Sequence, residues 1–214
     1  MPITLRIIPV TPFQQNCSIL LCQETGDAAV VDPGGDIEKI LAGAKQMGAS
    51  VKKILLTHGH LDHCGAAKEL ADQLGVPIEG PQIDEQFWID QLPEQTVRFG
   101  FGNAKVFEPN RWLNDGDHVQ VGKVDLEVFH CPGHTPGHLV FFDKADRLAI
   151  VGDVLFAGSI GRTDFPRGNH ADLIHAIKTK LWPLGDDVQF VPGHGPMSTF
   201  GAERKTNPHV GDGV

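Results

Sequence analysis

One short run of residues constrains this chain more than any other feature of its sequence. The run T-H-G-H-L-D-H, at residues 57–63, directly follows an apolar stretch of strand length. Imidazole nitrogen and carboxylate oxygen are ligands that suit Zn²⁺, Fe²⁺ or Mn²⁺ without any cysteine. In a polar loop after a strand, the alternate residues His58 and His60 can converge on one ion. We expect the next pair, Asp62 and His63, to face a second ion beside it.

Three more residues of the same chemical types follow later strand-like runs, and each has glycine beside it: His134, Asp153 and His194. A glycine neighbour leaves room for the side chain to reach inward. A single histidine in such a place is usually a packing or surface residue, but five histidines and two aspartates at successive strand ends are hard to attribute to chance. We therefore predict that these seven residues form one site for two metal ions.

The spacing of apolar residues predicts a layered α/β chain. We expect strands at Thr4–Pro9, Cys17–Cys22, Ala28–Val31, Val51–Leu56 and Val188–Val191, hairpins at 119–130 and 139–151, and helices at Ile37–Met47, Ala66–Leu74 and Ala171–Leu181. Asp36 is expected to cap the first helix and Gly48 to end it. Residues 81–110 are the hardest to interpret, and we predict a helix over Ile83–Leu92 and loop elsewhere. This order suits a layered sandwich better than a doubly wound sheet.

The bulk composition narrows the class of protein. No linker interrupts the 214 residues, so we expect one domain over residues 1–214. A net charge of −9 argues against a nucleic-acid or anionic-membrane surface, since either needs a basic patch. The four cysteines form no C-x-x-C pair, and we expect neither a signal peptide nor a transmembrane segment. These features predict a cytoplasmic protein with reduced thiols that acts on a small molecule.

The T-H-x-H-x-D-H motif with a later His, Asp and His resembles the metallo-β-lactamase superfamily, and the resemblance extends over essentially the whole chain. It implies a four-layer αββα sandwich, of α/β (α+β) class, with two metals along one edge. Carried over to this sequence, it assigns His58, His60 and His134 to one metal and Asp62, His63 and His194 to the other, with Asp153 bridging both. The retained bridging Asp resembles the glyoxalase II-like branch, whereas zinc β-lactamases usually carry another residue there.

The resemblance also implies a reaction. Two divalent metal ions, with zinc favoured over iron or manganese, would share a hydroxide and lower its pKa enough to make it a nucleophile. Asp62 and Asp153 would be the catalytic carboxylates of this centre. The sequence offers no obvious acid beside the ligand motifs, and a thiolate can leave without one because the pKa of a thiol is about 8.5. We therefore expect hydrolysis of a glutathione-derived thioester such as S-lactoylglutathione, the reaction of hydroxyacylglutathione hydrolases.

Substrate recognition departs from the family pattern. The well-known glyoxalase II enzymes hold glutathione with tyrosines, a Lys after the bridging Asp and a C-terminal helical domain. This sequence has no tyrosine and ends at Val214, and in this it resembles the short type II bacterial subgroup. Arg162 stands where the family Lys would be and Asp164 where a Tyr would be. Arg162 and Arg167 are candidates to bind a substrate carboxylate, and the alternative is that Arg162 pairs with Asp164 to hold the loop.

A second reaction class stays open. The run G-R-T-D-F at residues 161–165 also resembles persulfide dioxygenases, which share the fold and oxidise glutathione persulfide with one iron bound by two His and one Asp. All seven ligand positions can persist in those enzymes, so the ligands alone do not decide. The run P-G-H-G-P at residues 192–196 resembles the hydrolases more closely, and we favour a hydrolase.

Several residues near the ligands have two interpretations. His138 either packs in the core or orients a ligand from behind. Asp32, after the third strand, either accepts a hydrogen bond from a ligand imidazole or begins a turn, and we favour the turn. Cys64 is expected to be buried and not reactive. Four aromatic residues either line the substrate mouth or pack in the core: Phe87, Trp88, Phe99 and Phe101.

Overall fold

The computed structural model of the protein describes residues 3–214, which form two packed β-sheets with helices on their outer faces. The strands are β1 (Ile3–Val10), β2 (Gln15–Cys22), β3 (Asp27–Val31), β4 (Ser50–Leu55), β5 (Ile78–Glu79), β6 (His118–Val121), β7 (Val124–His130), β8 (Leu139–Asp143), β9 (Leu148–Gly152), β10 (Leu155–Phe156), β11 (Ser159–Ile160), β12 (Gln189–Pro192) and β13 (Ser198–Thr199). The helices are α1 (Ile37–Met47), α2 (Leu61–Cys64), α3 (Ala67–Leu74), α4 (Gln86–Ile89), α5 (Leu92–Phe99), α6 (His170–Ala176) and α7 (Phe200–Thr206). Shorter 3₁₀ turns lie at Ile83–Glu85 and Trp182–Leu184, and a π-helical turn at Ile177–Leu181.

The order of strands brings the ends of parallel strands to one edge of the molecule. The first sheet has the order β1-β2-β3-β4-β5, and the second has the order β13-β12-β9-β8-β7-β6. β3, β4 and β5 are parallel neighbours in the first sheet, and β9 and β12 are parallel neighbours in the second. The two sheets are joined beyond β4, where the Leu139 N–H donates to the Thr57 carbonyl (2.8 Å). Loops that follow β4, β9 and β12 therefore meet at this edge, where ligands bind in open α/β sheets.

Successive strand residues pack into different layers, which explains why these strands are apolar on both faces. In β2, Ile19 lies in the core between the first sheet and its helices, whereas Leu20 lies in the core between the two sheets. In β8, Phe141 lies between the sheets and Phe142 lies in the core beneath α6 and α7. Three apolar cores thus separate four layers. The predicted αββα sandwich is confirmed.

Most predicted elements are confirmed to within one or two residues. The helix Ile37–Met47 has the predicted bounds, and Gly48 ends it in the left-handed conformation (φ 66°). The two predicted hairpins are β6–β7 and β8–β9. The prediction that Asp36 caps α1 is wrong. Asp36 is itself left-handed (φ 51°), and its carboxylate accepts a hydrogen bond from the Thr11 N–H (2.9 Å) instead.

Short elements depart most from the predictions. Helix α5 (Leu92–Phe99) lies beyond Leu92 in a stretch expected as loop. The helix predicted over Ile83–Leu92 is divided into a 3₁₀ turn and α4. Asp62 and His63 lie on the one-turn helix α2 and not in a loop. The last predicted strand is followed by β13 and α7, which were not predicted. Helices of one or two turns give too few periods for a sequence pattern, and their tertiary contacts decide their form.

The structure bears on two expectations drawn from composition, the state of the cysteines and the lack of a transmembrane segment. All four cysteines are free thiols and all are buried. Burial raises the pKa of the Cys64 thiol well above its ordinary value, so this residue is packed and unreactive, as predicted. Within residues 3–214, no helix has the length and apolarity needed to cross a membrane. The cytoplasmic location and the single-domain organisation stay predictions.

Candidate metal centre

The seven predicted ligand residues gather at the edge where the strands of both sheets end. Their positions are His58 and His60 after β4, Asp62 and His63 on α2, His134 between β7 and β8, Asp153 after β9, and His194 after β12. Backbone hydrogen bonds fasten these segments together. The Gly193 N–H donates to the Gly152 carbonyl (2.7 Å), and the Asn16 N–H donates to the Gly193 carbonyl (2.7 Å). The parallel pairing of β9 and β12 therefore sets Asp153 beside His194.

Three imidazoles converge at the first position of the centre. His58 Nε2 and His134 Nε2 each lie 3.1 Å from His60 Nδ1. Three nitrogen ligands bound tetrahedrally to one zinc ion, with bonds of about 2.0–2.1 Å, would lie roughly 3.3 Å apart. The observed spacing is close to that value, so these three nitrogens suit a single ion. All three side chains are buried.

A second group lies beside the first, and one carboxylate contacts both. His194 Nε2 is 3.1 Å from Asp62 Oδ2, and His63 Nε2 is 3.8 Å from the same oxygen. Asp153 lies between the groups. Its Oδ1 is 3.4 Å from His63 Nε2, and its Oδ2 is 3.6 Å from His134 Nε2. This is the arrangement that a bridging ligand between two ions requires.

Hydrogen bonds behind the centre determine how four of the rings point. An oxygen acceptor beside Nδ1 requires an N–H there, so in the neutral ring it is Nε2 that has the lone pair and presents it to the centre. The oxygen partners of Nδ1 are Asp32 Oδ2 for His63 (2.9 Å), Thr57 Oγ1 for His58 (3.0 Å), the Arg162 carbonyl for His134 (2.7 Å) and the Phe13 carbonyl for His194 (3.2 Å). All four rings are therefore held in the tautomer that can bind a cation.

Asp32 accepts several hydrogen bonds behind the ligands, and the prediction that it serves only a turn is wrong. The carboxylate is 2% exposed. Its Oδ1 accepts from the Thr57 N–H (2.8 Å), and its Oδ2 accepts from the Thr57 hydroxyl (2.6 Å) and from His63 Nδ1 (2.9 Å). The backbone does turn here, since the Gly34 N–H donates to the Asp32 carbonyl (3.0 Å). The side chain, however, orients His63 directly and His58 through Thr57.

Burial and charge prepare the centre for cations. Burial lowers the pKa of His58 well below its ordinary value and that of His60 to about 3, and the neighbouring imidazoles act in the same direction. Neutral imidazoles have a lone pair ready for an ion. Burial also acts to lower the pKa of His63, but the charges of Asp153 and Asp62 outweigh it and raise that pKa well above its ordinary value. The carboxylates thus favour positive charge between them.

Two further observations indicate that the residues fit bound metal ions. Among residues 3–214, the buried atoms His63 Nε2 and Asp153 Oδ1 have no hydrogen-bond partner, although leaving such an atom unpaired costs about 1–3 kcal/mol. A Cβ at Gly193 would overlap Asp153 Oδ1 and lie 2.6 Å from His63 Cε1. Only glycine lets the end of β12 approach these ligand atoms so closely. The cluster is therefore able to bind divalent metal ions.

His138 contacts two of the predicted ligands from behind. Its Nε2 accepts a hydrogen bond from the Asp153 backbone N–H (3.0 Å), and its ring stacks on that of His58 with centroids 4.6 Å apart. Burial lowers the pKa of His138 well below its ordinary value, so the ring stays neutral and keeps its acceptor. The sequence left open whether His138 packs in the core or orients a ligand, and in the structure the residue does both.

Two supporting residues were missed by sequence reasoning because they lie in the region that was hardest to interpret. Glu85 is fully buried and accepts from the N–H groups of Gly59 (2.8 Å) and Gly137 (2.7 Å). Burial raises the pKa of Glu85 to about 7. Gln95 Oε1 accepts from the N–H of Leu61 (2.9 Å), the first residue of α2. No motif marks either residue, since each acts on a segment at least 26 positions away in sequence.

A cleft of about 580 Å³ opens onto the centre. Five predicted ligands line it: His60, Asp62, His134, Asp153 and His194. Five aromatic side chains form part of its walls: Phe13, Trp88, Phe99, Phe156 and Phe165. Of the four aromatic residues considered from the sequence, Trp88 and Phe99 line this cleft, whereas Phe87 and Phe101 lie outside its lining.

The two arginines predicted to bind substrate are placed differently. Arg162 lines the cleft, but its Nε and one terminal nitrogen pair with the two carboxylate oxygens of Asp164 (2.9 and 2.8 Å). Its guanidinium also stacks over the Phe165 ring (4.6 Å). This is the loop-holding pair that the sequence left as an alternative. Arg167 lies outside the cleft lining, with its guanidinium over the Phe87 ring (4.1 Å).

Comparison with known proteins identifies the family. The model of the metallo-beta-lactamase superfamily matches residues 10–194. The chain is 46% identical over 207 residues to the hydroxyacylglutathione hydrolase GloC of Haemophilus influenzae, covering 96% of this chain and 97% of that protein. Its structure is similar to that of the BLEG-1 B3 metallo-beta-lactamase (TM-score 0.89, 32% identity, 97% of this chain and 99% of that one). It is also similar to TTHA1623 in a di-iron-bound form (TM-score 0.86, 33% identity, 95% of this chain and 98% of that one).

The matched region contains all seven predicted ligand residues, from His58 to His194. The fold and the cluster of histidines and aspartates agree with a metal-dependent hydrolase. The chain belongs to the metallo-beta-lactamase superfamily.

Proposed function

We propose that the chain is a binuclear metallohydrolase that cleaves glutathione-derived thioesters, with S-lactoylglutathione as the representative substrate. The observation that carries the proposal is the position of Asp153, whose carboxylate contacts both groups of ligands. The similarity to GloC supports the substrate class. We propose Zn²⁺ as the resident ion, since the nitrogen and oxygen ligands suit it, and they also accept Fe or Mn.

The ligand assignment follows the geometry of the two groups. His58, His60 and His134 would hold one ion, Asp62, His63 and His194 the other, and Asp153 both. When bound, two such ions supply an activated water and a Lewis acid for a carbonyl. The protein's own residues orient the ligands through their Nδ1 atoms and keep His58 and His63 buried behind the cleft. The aromatic side chains of the cleft give its walls apolar surface beside the ligands.

The residues of the cleft favour a leaving group that needs no proton. Among the described residues 3–214 that line it, Glu94 is the one carboxylic acid outside the ligand set, and it is exposed to solvent. Glu85 does not serve as an acid, because it lies outside the lining and both its oxygens accept backbone N–H groups. A departing amine requires a proton, whereas a thiolate does not. The cleft therefore suits a thioester better than an amide.

The two cationic side chains of the cleft differ in their availability for a substrate carboxylate. Arg162 is engaged by Asp164. Arg98, on the last turn of α5, lines the same cleft and has no carboxylate within 4.0 Å among residues 3–214. Its guanidinium lies 5.7 Å from the centroid of the Phe99 ring. We propose that Arg98 is the first partner of a substrate carboxylate and that Arg162 contributes less.

Replacement of Arg98 by Ala is expected to raise the KM for S-lactoylglutathione about tenfold and to leave kcat nearly unchanged, because the lost contact is the same in ground and transition states. Steady-state kinetics check this result. Arg162→Ala is the matched variant, and an unchanged KM there is expected if Asp164 occupies the guanidinium. A KM that rises in Arg162→Ala and not in Arg98→Ala would reverse the assignment.

Beta-lactam hydrolysis is the second candidate function, because a solved structure with 32% identity is that of a B3 metallo-beta-lactamase. A β-lactam is an amide, and its nitrogen must be protonated as the ring opens. Outside the ligand set, the cleft has no buried acid for that step among its described lining residues. Persulfide oxidation, the alternative from the 161–165 run, requires one iron and molecular oxygen. Both alternatives can be separated from thioester hydrolysis by product.

A parallel substrate panel tests the proposed function. The purified protein, with its metals quantified, is assayed with S-lactoylglutathione, a chromogenic cephalosporin and glutathione persulfide under air. We expect rapid release of glutathione from the thioester, little opening of the β-lactam ring and no oxygen uptake. One tightly bound iron with oxygen consumption would replace the hydrolase by the dioxygenase. Efficient cephalosporin cleavage without thioester cleavage would establish the β-lactamase instead.

A further inference from the structure

The segment 82–99 packs against the loops that carry the metal ligands, and the proposed function gives it a residue for substrate binding, Arg98, but no part in binding metal. The Trp88 ring packs edge-on against the ring of His60, with centroids 4.6 Å apart. Gln95 accepts from the Leu61 N–H at the start of α2 and donates to the Trp88 carbonyl (3.0 Å). The segment therefore touches both the loop after β4 and the helix that carries two further ligands.

Glu85 joins the ligand loops of the two sheets. Its Oε2 accepts from the N–H of Gly59, which lies between two predicted ligands after β4. Its Oε1 accepts from the N–H of Gly137, in the loop between β7 and β8 that carries His134. The side chain is 0% exposed, so no water competes for either oxygen. One carboxylate thus spans segments whose nitrogen ligands converge on the same ion position.

The geometry requires a carboxylate of this length. Each oxygen has its own backbone donor, at 2.8 and 2.7 Å, and an amide side chain would present an N–H group to one of them. The packing is also close. A Cβ at Gly137 would lie 2.8 Å from Glu85 Cγ, and a Cβ at Gly59 would lie 2.8 Å from Trp88 Cβ. Both loops therefore run directly against the segment that carries Glu85.

We infer that Glu85 is a positioning residue that holds the two ligand loops at the spacing which His58, His60 and His134 need to share one ion. The inference rests on the two-ion centre of the proposed function. The second group is held differently, because α2 is fastened by Gln95 and the loop after β12 by Asn16. Within residues 3–214, the hydrogen bonds of Glu85 go to Gly59 and Gly137 and not to Gln95 or Asn16, so we expect its loss to weaken one ion position and not both.

Metal titration of Glu85→Gln tests this inference. The full-length protein is stripped of metal and titrated with Zn²⁺ in competition with a chromophoric chelator, and a Co²⁺ titration records the absorption of each ion. We expect one binding step to weaken about 10- to 100-fold and the other to stay within about twofold of wild type. We also expect the absorption bands of only one Co²⁺ ion to change.

Glu203→Gln is the matched control. Glu203 is 3% exposed, and its carboxylate accepts from the Gly158 N–H (2.8 Å), Asn207 Nδ2 (2.9 Å) and the Ser198 hydroxyl (2.5 Å), none of which lies on the two loops that Glu85 joins. This variant loses a comparable buried contact and is expected to keep both binding steps. Equal weakening in the two variants, or unchanged binding in Glu85→Gln, would overturn the positioning role.

Amide hydrogen exchange in the wild-type protein keeps the inference testable if Glu85→Gln does not fold. With metal removed, we expect the amides of Gly59 and Gly137 to stay protected, because Glu85 holds them without help from an ion. Exchange of both at the rate of exposed loop amides would refute the role. Since neither readout is hydrolysis, such a failure leaves the thioester proposal standing. A protein that binds two ions and cleaves no thioester would contradict the proposed function alone.

Discussion

Replacement of Asp153 by Ala is expected to abolish thioester hydrolysis and to remove at least one metal ion per chain. Asp153 is the one predicted ligand whose carboxylate contacts both groups, at 3.4 Å from His63 Nε2 and 3.6 Å from His134 Nε2. Loss of a residue that merely supports a ligand already costs about 10- to 100-fold in metal affinity or activity. The loss of a bridging ligand should therefore exceed about 100-fold in kcat/KM. Elemental analysis and steady-state kinetics on the same preparation measure both effects.

Asp164→Asn is the control for this variant. Its carboxylate lies eleven positions further along the chain, is exposed and pairs with Arg162. This control should keep two ions and nearly full kcat, since the Asp164 carboxylate pairs with Arg162 and belongs to neither group of ligands. Full activity of Asp153→Ala with two bound ions would show that the ligand assignment is wrong.

Replacement of Asp32 by Asn is expected to lower the free energy of unfolding by about 3 kcal/mol, since hydrogen bonds to a charged group contribute about 1.5–3 kcal/mol and a buried donor left unpaired costs about 1–3 kcal/mol. The substitution keeps the size of the side chain, and Asn tolerates the left-handed backbone of this position (φ 52°). It therefore tests the three hydrogen bonds to Thr57 and His63 and not the turn. Denaturant unfolding of the metal-free protein measures the change.

The same variant should also bind metal less tightly, because His63 loses the acceptor that determines its tautomer. A chelator competition on Asp32→Asn separates this effect from the loss of stability. Asp36→Asn is a suitable control, since Asp36 is also left-handed (φ 51°) and bonds a backbone N–H, that of Thr11. Free energies of unfolding of Asp32→Asn and wild type within about 0.5 kcal/mol of each other would show that the hydrogen bonds of Asp32 contribute little to stability.

The ligand residues could be predicted from the sequence because their signal is local. Four of them lie within six positions, directly after an apolar strand, and the others follow later strands beside glycine. The sandwich could be predicted for a related reason. Its strands are apolar on both faces, since Ile19 and Leu20, although adjacent in sequence, enter different cores. The apolar pattern of the strands therefore predicts the fold. The metal-binding residue types that follow the strands predict the edge that holds the candidate site.

The residues that support the ligands could not be predicted in this way. Glu85 and Gln95 lie on short helical segments, and the groups they bind are 26 and 34 positions away in sequence. Asp32 gave a clearer signal, because it follows a strand as the ligands do, but its Gly-rich surroundings also suit a turn. These hydrogen bonds depend on how segments that are distant in sequence pack together. The residues adjacent in sequence carry no information about that packing.

The residues that recognise the substrate could likewise not be predicted from local sequence patterns. Arg162 was identified from its position after the bridging Asp, yet its guanidinium is paired with Asp164, two residues along the chain. No sequence motif marks Arg98, which lies on α5, a helix of eight residues in the region predicted as loop. The fold brings this helix to the cleft beside the ligands. The arginine most available to a carboxylate could therefore be recognised only in the structure.

The central claim, that two ions held by one bridging carboxylate carry thioester hydrolysis, is tested most directly by stepwise metal reconstitution. The metal-free protein is titrated with Zn²⁺ while bound metal and hydrolysis of S-lactoylglutathione are measured at each addition. We predict saturation at two ions per chain, with most of the activity appearing as the second ion binds. Full activity at one ion per chain, or two bound ions without thioester hydrolysis, would contradict the claim.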